Sequence, residues 1–213
     1  CEDAARQASS VRLIAVSKTK PQDHVVQAIE AGQLVFGENR VQEAEGKFPD
    51  LKEKHPELEL HLIGPLQTNK AKDAVALFDV IHTVDREKLV KSLATAMDAV
   101  GRKPKCFIQV NTGAEPQKAG VLPEDLPALL KVAKQAGLPI YGLMCIPPAE
   151  QLAPPHFAFL KKLAIDNAVV GPGETQPWLS MGMSGDYAEA VELGATHVRV
   201  GSAIFGGRPT PTL

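Results

Sequence analysis

Eight short apolar, β-branched runs alternate with seven segments of helical period along this sequence. That alternation predicts an α/β fold, a single (β/α)8 TIM barrel spanning residues 1–213. Two further observations favour the barrel. Strand–helix repeats demand parallel strands joined by right-handed crossovers, and eight such units close into a ring more readily than they remain an open sheet. No GxGxxG or Walker glycine loop follows the first strand, which removes the dinucleotide-binding and P-loop competitors.

The first strand, Arg12 to Lys18, is carried by Leu13-Ile14-Ala15-Val16, and Asp23 to Ala31 has helical period behind it. The second strand, Leu34 to Glu38, leads to a helix over Arg40 to Glu53. The third, Leu58 to Gly64, and the fourth, Val80 to Val84, are separated by a helix over Asn69 to Leu77. Arg86 to Val100 is helical and precedes the fifth strand, Lys105 to Asn111. Pro123 to Gln135 is helical and precedes the sixth, Ile140 to Ile146. Pro155 to Asp166 leads to the seventh strand, Trp178 to Ser184, and Gly185 to Leu193 leads to the eighth, His197 to Ile204. Three helix ends carry glycine just past the periodic run, at Ala31-Gly32, Ala136-Gly137 and Leu193-Gly194, where a left-handed cap costs least. An eighth covering helix is not apparent. Phe205 to Leu213 contains Gly-Gly-Arg-Pro-Thr-Pro, poor helix material, and Cys1 to Ala8 has the composition for the task but not the length. The sequence opens on Cys1 rather than Met, so residues are expected to be missing from its front.

Composition excludes several functions. With 23 Lys and Arg against 25 Asp and Glu the net charge is −2, so no bulk positive field gathers phosphate backbones and no nucleic-acid partner is expected. At 44% hydrophobic and 23% charged residues the chain matches ordinary folded domains rather than disordered ones. No apolar run approaches the roughly 20 residues of a membrane helix, so no membrane partner is expected either. Cys1, Cys106 and Cys145 form no CxxC pair and point to a reducing, cytoplasmic setting. His24, His55, His61, His82, His156 and His197 lack HExxH or comparable spacing, so no metal is expected, and there is no GxSxG elbow.

Active sites of such barrels gather at the carboxyl ends of the strands. Read in order, those ends offer Lys18, Asn39, Gly64 with Gln67, Asp85, Asn111, Ile146, Ser184, and Arg199 with Gly201 and Ser202. Lys18 closes the first apolar run. Partial desolvation there lowers a lysine pKa and frees a neutral amine able to attack an aldehyde, although a strand-end lysine that simply reaches solvent fits the same pattern. The seventh strand ends in Ser180-Met-Gly-Met-Ser184-Gly185-Asp186 and the eighth reads Val198-Arg199-Val200-Gly201-Ser202. Loops after strands 7 and 8 form the usual phosphate site of barrels, and the small residues Ser184, Gly201 and Ser202 suit that task as well as they suit tight turns. Arg199 and Gly201, two residues apart, share one side of the eighth strand, and that side is either the barrel mouth or the surface. Lysine on strand 1 and a phosphate cradle on strands 7 and 8 are neighbours in a closed ring, an arrangement that fits a phosphorylated aldehyde.

At these residues the chain resembles the pyridoxal phosphate homeostasis protein family. The resemblance is carried by Ala15-Val-Ser-Lys18-Thr-Lys-Pro21, Phe36-Gly-Glu-Asn39, Val41-Gln42-Glu43, His61-Leu-Ile-Gly-Pro-Leu-Gln67-Thr-Asn69-Lys70, Gly142-Leu-Met144, Leu179-Ser-Met-Gly-Met-Ser184-Gly-Asp186, and Val198-Arg-Val-Gly-Ser-Ala-Ile-Phe-Gly206. It implies a fold-type III barrel similar to the amino-terminal domain of alanine racemase, holding pyridoxal 5'-phosphate (PLP) as an imine on Lys18. It further implies phosphate contacts from Ser184, Gly201 and Ser202, Arg199 facing the pyridine nitrogen, and Asn39 close to the cofactor. The implied role is intracellular buffering or delivery of PLP to PLP-dependent apoenzymes by a monomer without strong catalytic activity. Two rivals stand beside it. A PLP-dependent amino-acid racemase would use the same imine, and a phosphosugar isomerase would share only the phosphate site. A racemase needs a base on each face of its substrate. Tyr141 and Tyr187, the only tyrosines, are read at the start of the sixth strand and inside a helix, away from any strand's carboxyl end.

Overall fold

Eight parallel strands pair in chain order and close on themselves in the computed structural model, which describes residues 1–207. They are β1 (Arg12–Val16), β2 (Val35–Glu38), β3 (Glu59–Leu62), β4 (Val80–Val84), β5 (Lys105–Gln109), β6 (Ile140–Met144), β7 (Trp178–Ser180) and β8 (His197–Val200). The seam between β1 and β8 is fully paired, from Arg12 opposite His197 to Ala15 opposite Val200. The helices are α1 (Gln22–Glu30), α2 (Val41–Glu45), α3 (Pro49–Lys54), α4 (Ala71–Leu77), α5 (Glu87–Val100), α6 (Leu126–Gln135), α7 (Ala153–Asp166), α8 (Tyr187–Glu192) and α9 (Ser202–Phe205).

Each long helix turns one apolar stripe inward. On α5 that stripe is Leu89, Val90, Leu93, Ala96 and Met97, spaced at the helical period and buried. Burial of each of its leucines contributes about 1.5–3 kcal/mol. Gly32, Gly137 and Gly194 have φ of 92°, 72° and 103°, so all three expected left-handed caps form. The core has two compartments. One lies between the sheet and the helices and includes Phe36, Phe48, Phe78 and Phe157. The other fills the barrel: Val80, Phe107 and Met144 with Trp178 against them, and His82 stacked on Phe107 at a ring-centroid distance of 4.3 Å.

Four expectations require correction. The helix over Arg40 to Glu53 is two helices, α2 and α3. Gly46 caps the first, Pro49 starts the second, and a proline has no N–H to carry one helix through that point. Strands 7 and 8 end at Ser180 and Val200 rather than at Ser184 and Ile204. Beyond them Met181 packs into the core, Met183 lines the mouth, and Ser202–Phe205 form a helical turn. Strands 1, 3, 5 and 6 also stop two residues short of the expected ends. Cys1 to Ala8 is not a helix. Nucleation is unfavourable in so short a piece, and Arg6 instead donates to the Val191 and Ala195 carbonyls at 2.9 and 2.6 Å, holding the segment against the turn before β8. Of the Phe205 to Leu213 stretch read as poor helix material, Phe205 ends α9, and residues 208–213 lie outside the described residues.

Candidate functional site

A cavity of about 420 Å³ opens at the carboxyl ends of β1, β2, β7 and β8. Lys18, Asn39, Ser184, Arg199, Gly201 and Ser202 all line it, so the expected site residues meet in one place. Ile146 joins them, together with Val16, Thr19, Lys20, Ile63, Met183, Gly185 and Gly206. Gly64, Gln67, Asp85 and Asn111 are not in its wall. Asp85 pairs with Arg86, Asn111 holds its own loop through Glu115, and Gln67 lines a neighbouring groove with Arg40 and Lys70.

The segment bearing Lys18 is fixed from behind. Ser17 continues the β1–β2 pairing through its N–H to Gly37, and Lys20 N–H returns to the Ser17 carbonyl at 3.1 Å, closing a tight turn over Lys18 and Thr19. Thr19 has φ 62°, a strained value for a β-branched residue, and its N–H is held by Glu43 Oε1 at 2.5 Å. Beneath the turn lies a buried ion pair. Lys47 Nζ is 2.7 Å from Glu38 Oε1 and 2.8 Å from Glu43 Oε1, and donates to the Ser17 and Lys20 carbonyls; Ser17 Oγ donates to Glu38 at 2.7 Å. Burial pushes the Glu38 carboxyl above its usual range, opposed by its bonds to Lys47 and Ser17. Lys20, also in the cavity wall, gives its ammonium to the carbonyls of Phe205, Gly206 and Gly207.

On the opposite wall, Ser184 Oγ accepts the Gly201 N–H at 3.3 Å, tying the loops after β7 and β8 together. Space at Gly201 is tight. A Cβ there would stand 3.3 Å from both Cβ and the carbonyl oxygen of Val16 on the adjacent strand. Ile204 and Phe205 return their N–H groups to the Gly201 carbonyl, so Ser202 and Ala203 open the helical turn with amides ahead of its first internal bonds. Arg199 is 4% exposed; its Nη1 donates to Ser180 Oγ at 2.6 Å and its Nη2 to the Cys145 carbonyl at 2.9 Å. A guanidinium carries five N–H donors, so capacity remains for a group in the cavity. Burial lowers the Arg199 pKa, yet an arginine has ample margin and stays charged. Burial also pushes the Cys145 thiol up to about 12, so it is no nucleophile.

The sequence reading missed Ser180, His82 and His61. They run inward from Arg199 through the barrel, and their signal was positional, since all three occupy buried strand positions with buried neighbours on either side.

Fold and site together define a barrel of the alanine racemase type, and the family model described as "Alanine racemase, N-terminal domain" matches residues 1–209. Within that class the chain belongs to the pyridoxal phosphate homeostasis protein family. The Vibrio cholerae protein of that name is 41% identical over 211 residues, covering 97% of this chain and 89% of the relative. The solved structure of PipY from Synechococcus elongatus with PLP bound is 41% identical, covers 96% of this chain and 97% of its own, and superposes with a TM-score of 0.85. Alanine racemase from Clostridium difficile shares the fold at 15% identity and a TM-score of 0.72, and its match takes in 55% of that longer chain.

Proposed function

We propose that this barrel binds pyridoxal 5'-phosphate through Lys18 and acts in cytoplasmic PLP homeostasis, buffering the cofactor and delivering it to PLP-dependent apoenzymes. The observation that carries the reading is the single cavity in which a half-buried lysine, a small-residue cradle and a buried arginine share walls. The donor set fits the molecule. The Lys18 amine condenses with the aldehyde carbon, forming a C=N bond and releasing water. Ser184 and Ser202 offer hydroxyl donors to the phosphate, Gly201 leaves room for it, and Arg199 presents a donor to the ring nitrogen. Asn39 lies on the Lys18 side. When bound, PLP supplies a reactive aldehyde and an electron-accepting ring. The part of this chain is to hold and shield them.

Borohydride reduction in the presence of PLP, followed by peptide mapping, tests the assignment. The stable adduct is expected on Lys18, with Lys18→Ala losing both adduct and imine absorbance. Adduct on Lys20, whose amine is already committed to three carbonyls, would overturn it.

A further inference from the structure

Below Arg199 a line of buried polar side chains descends through the barrel, and none of them is used by the reading above. Ser180 Oγ, which accepts from Arg199 at 2.6 Å, is 2.9 Å from His82 Nδ1. His82 Nε2 is 2.8 Å from His61 Nδ1, and His61 Nε2 is 2.6 Å from Glu59 Oε1. Glu59 lies at the amino-terminal floor, where Arg12 Nη1 meets its other oxygen at 2.7 Å. Ser180, His82 and His61 are each fully buried.

The two ends fix the direction of every bond between them. Arginine only donates, so Ser180 Oγ accepts from it and has its own proton free for His82 Nδ1. A neutral His82 then carries its proton on Nε2 and donates to His61 Nδ1. A neutral His61 likewise donates from Nε2 to the Glu59 carboxylate, which only accepts. The alternative is one extra proton, which would place Nδ1–H on both rings and make Ser180 accept twice. The surroundings oppose that proton. Burial disfavours charge on both rings, and His82 also faces His61, His197 and Arg199. His61 faces Arg12 as well, with Glu59 and Asp79 pulling the other way.

We propose that Ser180, His82 and His61 are positioning residues for Arg199. With Glu59 they form a one-way hydrogen-bond chain that fixes the guanidinium at the cavity wall and anchors it to the barrel floor. The Cys145 carbonyl alone would leave the guanidinium plane able to swing about the Cδ–Nε bond, and its two Nη groups able to exchange by slow rotation about the partial double bond Cζ–Nε. The second anchor sets its plane, and with it the donor offered to a ligand's ring nitrogen. This last step rests on the PLP reading; the chain itself does not.

The test therefore begins without cofactor. Nitrogen-15 NMR of the unsubstituted protein is expected to show His61 and His82 neutral, protonated on Nε2 alone, and unchanged between about pH 6 and 8, the range that brackets an ordinary histidine pKa. The Nη resonances of Arg199 are expected to be separate, as for hindered rotation. In Ser180→Ala they merge, and the two rings lose their single tautomer. An Nδ1–H on either ring, or Arg199 resonances already averaged in the unsubstituted protein, overturns the proposal even if the variant fails to fold. With cofactor, Ser180→Ala is expected to weaken PLP and pyridoxal alike by about tenfold, because loss of one charge-assisted anchor affects the ring side and not the phosphate. Affinities within about twofold of the unsubstituted protein would overturn the positioning role, that being well short of one such bond. Failure of the unsubstituted protein to take up PLP would instead overturn the function, and the NMR arm would still decide the chain.

Discussion

Replacing Ser184 and Ser202 by alanine separates the phosphate from the rest of the ligand. In the structure Ser184 Oγ accepts from Gly201 N–H at 3.3 Å, which leaves its own proton to point into the cavity. A hydroxyl that donates to an anionic phosphate oxygen makes a charge-assisted bond, and removing one costs about 1.5–3 kcal/mol. At about 1.4 kcal/mol per factor of ten, Ser184→Ala is expected to weaken PLP roughly 10- to 100-fold. Ser202 is exposed, so water competes for its hydroxyl and Ser202→Ala falls at the lower end, about tenfold or less. Pyridoxal has no phosphate and is expected to change by less than about twofold in either variant, since no charge-assisted bond is lost. A bulkier change, Gly201→Leu, is expected to show the same asymmetry more strongly, because a Cβ there is already tight against Val16 and Gly201 itself lines the cavity, so the added side chain takes space from the cradle. Equilibrium dialysis of both ligands against each variant gives the ratio directly. Equal losses for PLP and pyridoxal would refute the cradle, since that outcome means these residues support the whole cavity and not one end of it.

Lys47→Met leaves the Glu38 carboxylate buried without its cation and is expected to cost about 3–5 kcal/mol at pH 7, read by chemical denaturation. Because the folded Glu38 pKa is raised, its charged form opposes folding above that pKa. The deficit should therefore shrink as pH falls from 7 toward that raised pKa, and Glu38→Gln should relieve it at pH 7; a deficit that grows on acidification would count against the ion-pair account. Glu59 has the opposite sign. Burial raises its pKa, but His61, Arg12 and Lys105 more than offset this and hold it down to about 2. The stability it contributes is complete above the ordinary carboxylate pKa and is lost as pH falls toward about 2, so Glu59→Gln should flatten the acid limb of the stability profile below about pH 4.5. An unchanged limb would refute that coupling. Turnover of alanine or serine by the PLP-loaded protein is expected to be negligible. In the proposed binding mode Arg199 would donate to the ring nitrogen and leave it unprotonated, a poor electron sink, and neither Tyr141 nor Tyr187 lines the cavity as a second base. Deuterium exchange at Cα with inversion at about 1 s⁻¹ or faster would promote the racemase.

The ring of strands was legible because each strand is short, β-branched and bounded by turn residues, and because the barrel imposes one alternation on the whole chain. Its ends were less legible for a physical reason. Apolar residues near the mouth extend the hydrophobic pattern of a strand beyond its last residue: Ile146 and Met183 pack the cavity wall, Met181 joins the core beneath the helices, and Ile204 lies in the next helical turn. The break between α2 and α3 could have been read from Gly46 and Pro49. What the pattern hides is its purpose: the gap lets Lys47 reach Glu38 beneath the Lys18 turn.

The cavity residues were legible at strand ends because position in a barrel carries chemical meaning. The histidines were illegible because the question put to them was the wrong one. A search for ligand spacing tests whether histidines lie on one helix or one loop, and it has nothing to say about residues brought together by strand register. Alternation asks more. If Arg199 faces inward, so does His197, and Ser180 pairs with His197 across β7 and β8, which places two polar groups in a space filled by Phe107 and Trp178. Polar groups inside such a layer must bond to one another or leave buried donors unmet. One inward arginine on β8 therefore requires acceptors on neighbouring strands, and tracing what satisfies each acceptor in turn leads through Ser180, His82 and His61 to a carboxylate at the floor.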